Sequence, residues 1–358
     1  MKQGVLHDLH LSLGARMTEF AGWTLPLSYG SILDEVRAVR SRAGLFDVSH
    51  MGRIEVGGHG AGALLQRLTT NDIGRLEIGH GRYTMMCNSR GGIIDDMVVF
   101  RTDTDRYIMV VNAANTQKDL DRLTSYASDD VAVNDLTWQT SFFALQGPLA
   151  RAVLAAAAET VPELFRFGSA LARIAGNCCS VSRTGYTGED GYEIGCSNSY
   201  SVQVWETLRT AGGPSGLAPC GLGARDVLRI EAGYVLYGRD IDEDANPIEA
   251  GLSRFVRMEK GEFVGREALQ GVLEQGPDRL LVGVRMEDRS VPRPGAPILA
   301  NGATIGQITS GTFSPTIGRG IGLGYIAAEK SLPGLEVELV LREKAYPGRV
   351  VATPFLEF

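Results

Sequence analysis

The chain has 358 residues, 44% of them hydrophobic and 22% charged, and a net charge of −7. It is too long for one compact core, which points to two or three domains. The acidic balance argues against a nucleic-acid binder, since phosphate contacts need a basic face, and no apolar run reaches membrane-spanning length. Residues 1–4 open neither a signal-peptide h-region nor an Arg-rich transit segment, so a cytoplasmic location is expected. The five cysteines, Cys87, Cys178, Cys179, Cys196 and Cys220, are odd in number and form no Cys-x-x-Cys. That speaks against a disulfide framework and a structural zinc site. His7 and His10 could share a helical face, but with no third ligand nearby no metal is expected.

In chain order, a helix begins after Ser31, with Asp34 at capping-box spacing and Ile32, Val36 and Val39 at helical period. Gly44 is its expected stop, and residues 45–48 read as a strand. Residues 81–113 read as a β-meander: runs 83–87, 93–100 and 107–112, with turn material at 89–92. Residues 142–145 look like a buried strand, and Gly147-Pro148 is expected to start a helix with proline near its first turn. The stretch 183–194 is glycine-rich and leads into a strand. Trp205 and Leu208 mark a further helix, and residues 219–233 read as helical after a glycine-rich entry. Strands and helices without a regular βαβ repeat indicate an α+β fold. Residues 275–278 resemble a linker. Beyond it Asn301-Gly302 signals a hairpin, and Leu335, Val337 and Leu339 alternate with glutamates. A small antiparallel barrel or sandwich is expected from about residue 278 onward.

Several motifs look chemical without being so. Gly318, Gly320, Gly322 and Gly324 recur at every second position, the face of a strand rather than a dinucleotide loop. The run 240–244 resembles the start of a calcium loop, but Ala245 stands where glycine is needed and Gly251 where the bidentate glutamate belongs. It reads as a solvated acidic loop. Cys178 and Cys179 have no cluster of positive charge to activate them.

Four charged residues do not fit a plain core. Asp95 and Asp96 interrupt an apolar strand, and strand alternation points them to opposite faces. Asp96 shares its face with Ile94, Val98 and Phe100, so poorly solvated surroundings are expected for it. Asp95 is expected to be structural. Glu193 follows a loop, 184–191, rich in glycine. A carboxylate there suits a flat ligand with adjacent N–H donors. Arg225 has no carboxylate three or four residues away, whereas Arg229 can pair with Asp226. Arg225 is the arginine left for a ligand or a distant partner.

Taken together, residues 20–23 (FAGW), 45–52 (LFDVSHMG), 91–96 (GGIIDD), 183–191 (RTGYTGEDG), 221–226 (GLGARD), 261–269 (GEFVGREAL) and 309–315 (TSGTFSP) resemble the T-protein family of the glycine cleavage system. The blocks span nearly the whole chain in order. The resemblance implies an α+β, three-domain cloverleaf around a central folate pocket, closed by a C-terminal antiparallel β-barrel. It implies domains at 1–50 plus 138–245, at 51–137 plus 246–275, and at 278–358. It implies an aminomethyltransferase that takes its one-carbon group from the lipoylated H-protein, releases ammonia and passes the carbon to tetrahydrofolate as 5,10-methylenetetrahydrofolate. Asp96 matches the family's catalytic aspartate, Glu193 its pterin-binding glutamate and Arg225 a folate-contacting arginine. Tyr83, Asn112, Tyr186 and Met51 match other folate-pocket positions. No metal, nucleic acid or membrane partner is implied. Relatives often carry an aromatic-rich tail after the last barrel strand. This sequence has PFLEF at 354–358, so a folate contact from the tail is expected to be absent or replaced. The alternatives are a folate-dependent demethylase on the same fold and a non-catalytic folate binder of iron–sulfur maintenance. The latter family carries a Lys-Gly-Cys-Tyr motif, whereas Lys260-Gly261 is followed here by Glu262-Phe263.

Overall fold

The computed structural model describes residues 1–357, so Phe358 of the tail motif lies outside the described residues. The chain divides into two compact units. One comprises residues 1–68, 72–84 and 96–225; the other comprises residues 69–71, 85–95 and the chain from 226 onward.

The first unit draws on three sheets, a small one of three strands within residues 2–28 and two larger ones. Ser31 caps the helix Ile32–Ser41 through its hydroxyl, which accepts the Asp34 N–H at 3.4 Å. Gly44, read as the helix stop, instead opens the strand Gly44–Asp47. Its smallness serves close approach: a Cβ there would lie 2.5 Å from the Val39 side chain and 2.8 Å from Cys220 Sγ. That strand enters a six-stranded sheet in the order Ser169–Ile174, Asn177–Ser182, Gly191–Ser197, Thr140–Gln146, Gly44–Asp47, Ala218–Cys220. Pro219 therefore belongs to a short parallel edge strand, and the helix expected from 219 begins only at Leu222. A prolyl residue is tolerated at such an edge because it owes the ladder no N–H.

The helices Ala150–Ala157 and Ser201–Gly212 supply Val153, Leu154, Trp205 and Leu208 to the same core as Phe143, Leu145, Val181 and Ile194 of this sheet. Trp205 meets Phe143 edge-on at 5.3 Å. Pro148 stands outside its helix, which starts at Ala150 with Leu149 at the cap. The chain is still turning there: Gly147 has φ +125° and donates its N–H to the Asp190 carbonyl at 2.9 Å.

The expected meander is observed as His80–Cys87, Ile93–Asp103 and Arg106–Val111, consecutive in a five-stranded sheet completed by Gly52–Gly57 and Ala132–Asp135. Asp95 is fully buried, whereas Asp96 is half-buried. The drier of the two carboxylates is thus the one on the face of Ile93, Met97 and Val99, contrary to the expectation for Asp96.

In the second unit, the strands from Arg279–Met286 to Lys344–Val351 close into a six-stranded antiparallel barrel around Val284, Met286, Ile298, Ile308, Val337, Leu339 and Val350. Gly320, Gly322 and Gly324 lie on the strand Arg319–Ala327. Each is hemmed in; a Cβ on Gly320 would lie 1.8 Å from the Ser290 carbonyl oxygen. The helix Arg266–Gln275 ends at the linker glycine Gly276, at φ +84°.

The acidic loop is only partly solvated. Asp240 is buried and pairs with the buried Arg229 at 2.6 Å, while accepting the Leu236 N–H at 2.9 Å and the Thr309 hydroxyl. Arg229 also reaches Asp226 at 2.8 Å and Ser310 at 2.7 Å. Removing one member of a buried pair strands the other charge. Asp240→Ala is therefore expected to cost about 3–5 kcal/mol, seen as a lowered Tm in thermal unfolding. An unchanged Tm would show that Arg229 finds other compensation.

Candidate functional site

The residues matched to the family's catalytic and folate positions fall in the first unit. Tyr83, Asp96 and Asn112 sit on or directly after three adjacent strands and converge. The Tyr83 hydroxyl donates to Asp96 Oδ2 at 2.8 Å. Asn112 Nδ2 donates to Asp96 Oδ1 at 2.8 Å and to the Asp96 carbonyl at 3.0 Å. Each carboxylate oxygen thus receives a donor from a neighbouring strand or its end, which fixes its orientation.

Tyr186, Glu193 and Arg225 form a second group, joined by Thr184, which the sequence reading did not single out. The Thr184 hydroxyl donates to Glu193 Oε2 at 2.6 Å and lies 2.8 Å from the Ser182 hydroxyl. Burial pushes the Glu193 carboxyl above its usual range, opposed by the Thr184 hydrogen bond and the Arg225 charge. The Arg225 guanidinium lies over the Tyr186 ring, 4.7 Å from its centroid, a cation–π arrangement. Among the described residues, Glu193 Oε1 and the guanidinium of Arg225 have no hydrogen-bonded partner. A half-buried carboxylate oxygen and a half-buried guanidinium with their hydrogen-bonding capacity unspent are suited to a polar ligand.

The glycine-rich loop before Glu193 is shaped by the buried Gln146. Its Nε2 donates to the Thr184 carbonyl at 3.0 Å, and its Oε1 accepts the Thr187 hydroxyl at 2.9 Å. A Cβ on Gly185 would lie 1.8 Å from Gln146 Oε1, and one on Gly191 2.5 Å from the Leu145 carbonyl oxygen. These glycines let the loop close on its own strand. Arg183 and Asp190 clasp the loop ends through two bonds of 2.8 Å.

Met51 is half-buried, and its carbonyl accepts from the buried Arg53. Arg53 also binds the Ser49 carbonyl at 2.7 Å and the Thr137 and Thr140 carbonyls at 2.6 Å each. His50 is buried beside Phe20, and its Nδ1 has no partner. Burial, reinforced by the Arg225 charge, holds its imidazole down at about 3, so it is neutral at pH 7. Both ring nitrogens of His10 are engaged: Nε2 meets Asp47 at 2.8 Å and Nδ1 the Tyr29 hydroxyl at 2.7 Å. No helix among the described residues is long and apolar enough to cross a membrane.

Two family descriptions match the chain. The GCVT N-terminal domain covers residues 6–260 and the glycine cleavage T-protein C-terminal barrel domain covers residues 279–357. The aminomethyltransferase of Halothermothrix orenii is 44% identical over 99% of this chain and 100% of its own length. That of Streptomyces avermitilis is 45% identical over 98% and 96%. The crystal structure of glycine cleavage system aminomethyltransferase T from Bartonella henselae superposes with a TM-score of 0.93 at 38% identity, covering 99% of this chain and 98% of that one. The chain belongs to the glycine cleavage T-protein family. Its activity is that of an aminomethyltransferase.

Because the His50 pKa is lower in the folded chain than its ordinary 6.5, the unfolded state binds the extra proton below that pH. His50 therefore contributes stability above pH 6.5 that is lost as the pH falls towards 3. Stability measured by denaturant at pH 7 and pH 5 should differ by roughly 2 kcal/mol less in His50→Gln than in the parent. Equal pH dependence in the two proteins would place the titration elsewhere.

Proposed function

We propose that this aminomethyltransferase takes the aminomethyl group from the dihydrolipoyl arm of the H-protein and delivers it to tetrahydrofolate, with Asp96 as the catalytic carboxylate and Glu193 and Arg225 as the pterin and folate anchors. Tyr83, Asn112, Tyr186 and Met51 complete the folate contacts. The division expected at 1–50 plus 138–245, 51–137 plus 246–275 and 278–358 belongs to the same reading. The observation that carries it is the pair of unspent groups, Glu193 Oε1 and the Arg225 guanidinium. The pterin presents an amino group and a ring N–H side by side, and a carboxylate accepts both. Thr184 occupies Oε2 with a donor and so orients the remaining lone pairs.

In the transfer, the C–N and C–S bonds of the aminomethyl thioether are exchanged for bonds from the carbon to folate N5 and N10. The protons leaving N5 and N10 end on ammonia and on the released thiol. Positive charge develops on the carbon as ammonia departs and then on N5 once it has attacked. A fixed carboxylate stabilises both and can accept the N5 proton. Tyr83 and Asn112 hold Asp96 in that orientation and need no reorganisation during the step.

Asp96→Asn keeps the shape and removes the charge. Single-turnover transfer is expected to slow by about 10²–10⁴, with tetrahydrofolate still bound; near-normal turnover would end the catalytic assignment. Glu193→Gln presents a donor where an acceptor is needed and should weaken tetrahydrofolate binding about tenfold or more. Calorimetry showing unchanged affinity would remove Glu193 from the pterin site.

A further inference from the structure

The Arg225 guanidinium stacks on Tyr186 but hydrogen-bonds no described residue, so its placement is governed by the backbone from which it projects. That backbone starts at Gly221, whose carbonyl accepts the Arg225 N–H at 3.1 Å in the first turn of the helix Leu222–Glu231. The Gly221 N–H donates to Glu35 Oε2 at 2.9 Å, and Glu35 Oε1 accepts the Tyr29 N–H at 2.6 Å. One buried carboxylate thus bridges two chain segments far apart in sequence. The fit leaves no slack: a Cβ on Gly221 would lie 2.4 Å from the Leu27 carbonyl carbon and 2.7 Å from the Ser28 nitrogen.

Glu35 is 5% exposed. Burial pushes its carboxyl up, and the N–H groups of Gly221, Tyr29 and Gly30 pull it back. Backbone dipoles, not a cation, are the groups that favour its charge. The same segment continues into a polar chain. The Tyr29 hydroxyl meets His10 Nδ1 at 2.7 Å, His10 Nε2 meets Asp47 at 2.8 Å, and Asp47 Oδ1 accepts the Ser49 N–H at 2.9 Å. Contiguous buried and half-buried polar groups therefore connect the 49–51 turn with the start of the helix that bears Arg225.

We propose that Glu35 is a positioning residue for the transfer reaction: by fastening Gly221 to the Tyr29 segment it sets where the Arg225 guanidinium meets the folate. This rests on the assignment of Arg225 to folate. It separates Glu35 from ordinary core residues, because its effect must pass through Arg225.

Calorimetric titration of the full chain with tetrahydrofolate tests it in four proteins: the parent, Glu35→Gln, Arg225→Lys and the double variant. In Glu35→Gln one of the two backbone N–H groups faces an amide donor. Affinity is expected to fall about tenfold in the parent background and by no more than about twofold in the Arg225→Lys background. At saturating folate, kcat should stay within about threefold of the parent. An equal loss in both backgrounds, or no loss beside an intact Arg225, overturns the proposal while leaving the folate site standing. Unchanged affinity in Arg225→Lys alone removes the folate assignment and this proposal with it. Should Glu35→Gln not fold, Glu35→Asp, which keeps the charge and shortens its reach, enters the same cycle with the same outcomes.

Discussion

A carboxylate in the middle of a β-strand must be satisfied by whatever the neighbouring strands present, and Asp96 is satisfied from both sides. Tyr83 comes from the strand on one side and Asn112 from the end of the strand on the other. Side chains alternate faces along a strand, so a slip of one residue in either pairing would turn these donors away from Asp96. Asp95, one residue earlier, is fully buried on the opposite face. The register of the meander is thus specified twice, once by the apolar alternation and once by the polar triplet. Side chains placed on paired strands also inherit the rigidity of the ladder.

The loops near the site obtain their rigidity differently. Each is pinned by one buried polar side chain from a strand or a helix. Gln146 holds the loop before Glu193, and Arg53 gathers the carbonyls of Ser49, Met51, Thr137 and Thr140. Glu35 fastens the start of the helix behind Arg225. In each case backbone groups that water would otherwise satisfy are satisfied internally. These side chains spend most of their hydrogen bonds on the backbone. Glu193 and Arg225 keep theirs, and that contrast separates scaffold from site more sharply than burial does.

Much of this was legible in the sequence. The Ser31 cap, the meander, the hairpin at Asn301-Gly302 and the β character of the last eighty or so residues are local patterns, and they are present as read. The opposed faces of Asp95 and Asp96 follow from strand period alone. Partners across long separations were not legible. Nothing local pairs Glu35 with Gly221, or marks Gln146 as the peg for a loop forty residues later. The acidic run at 240–244 misled for the same reason: composition reads it as solvated, while Asp240 is claimed by Arg229 and Thr309. The glycines at 185 and 191 make room for Gln146, a partner that nothing local announces.

The electrostatics around Arg225 form one consistent arrangement. Its charge helps hold His50 neutral and draws down the carboxyl of Glu193, which burial alone would raise further. Burial in turn lowers the Arg225 pKa, with Glu193 and Tyr186 acting against it. A guanidinium remains charged through any such shift. Arg225 is therefore the fixed term, and the groups around it adjust. A titrating cation at this position would couple the state of Glu193 to pH. A permanent one opposes at every pH the upward push of burial on the Glu193 carboxyl, while the stacked Tyr186 ring limits the guanidinium's freedom.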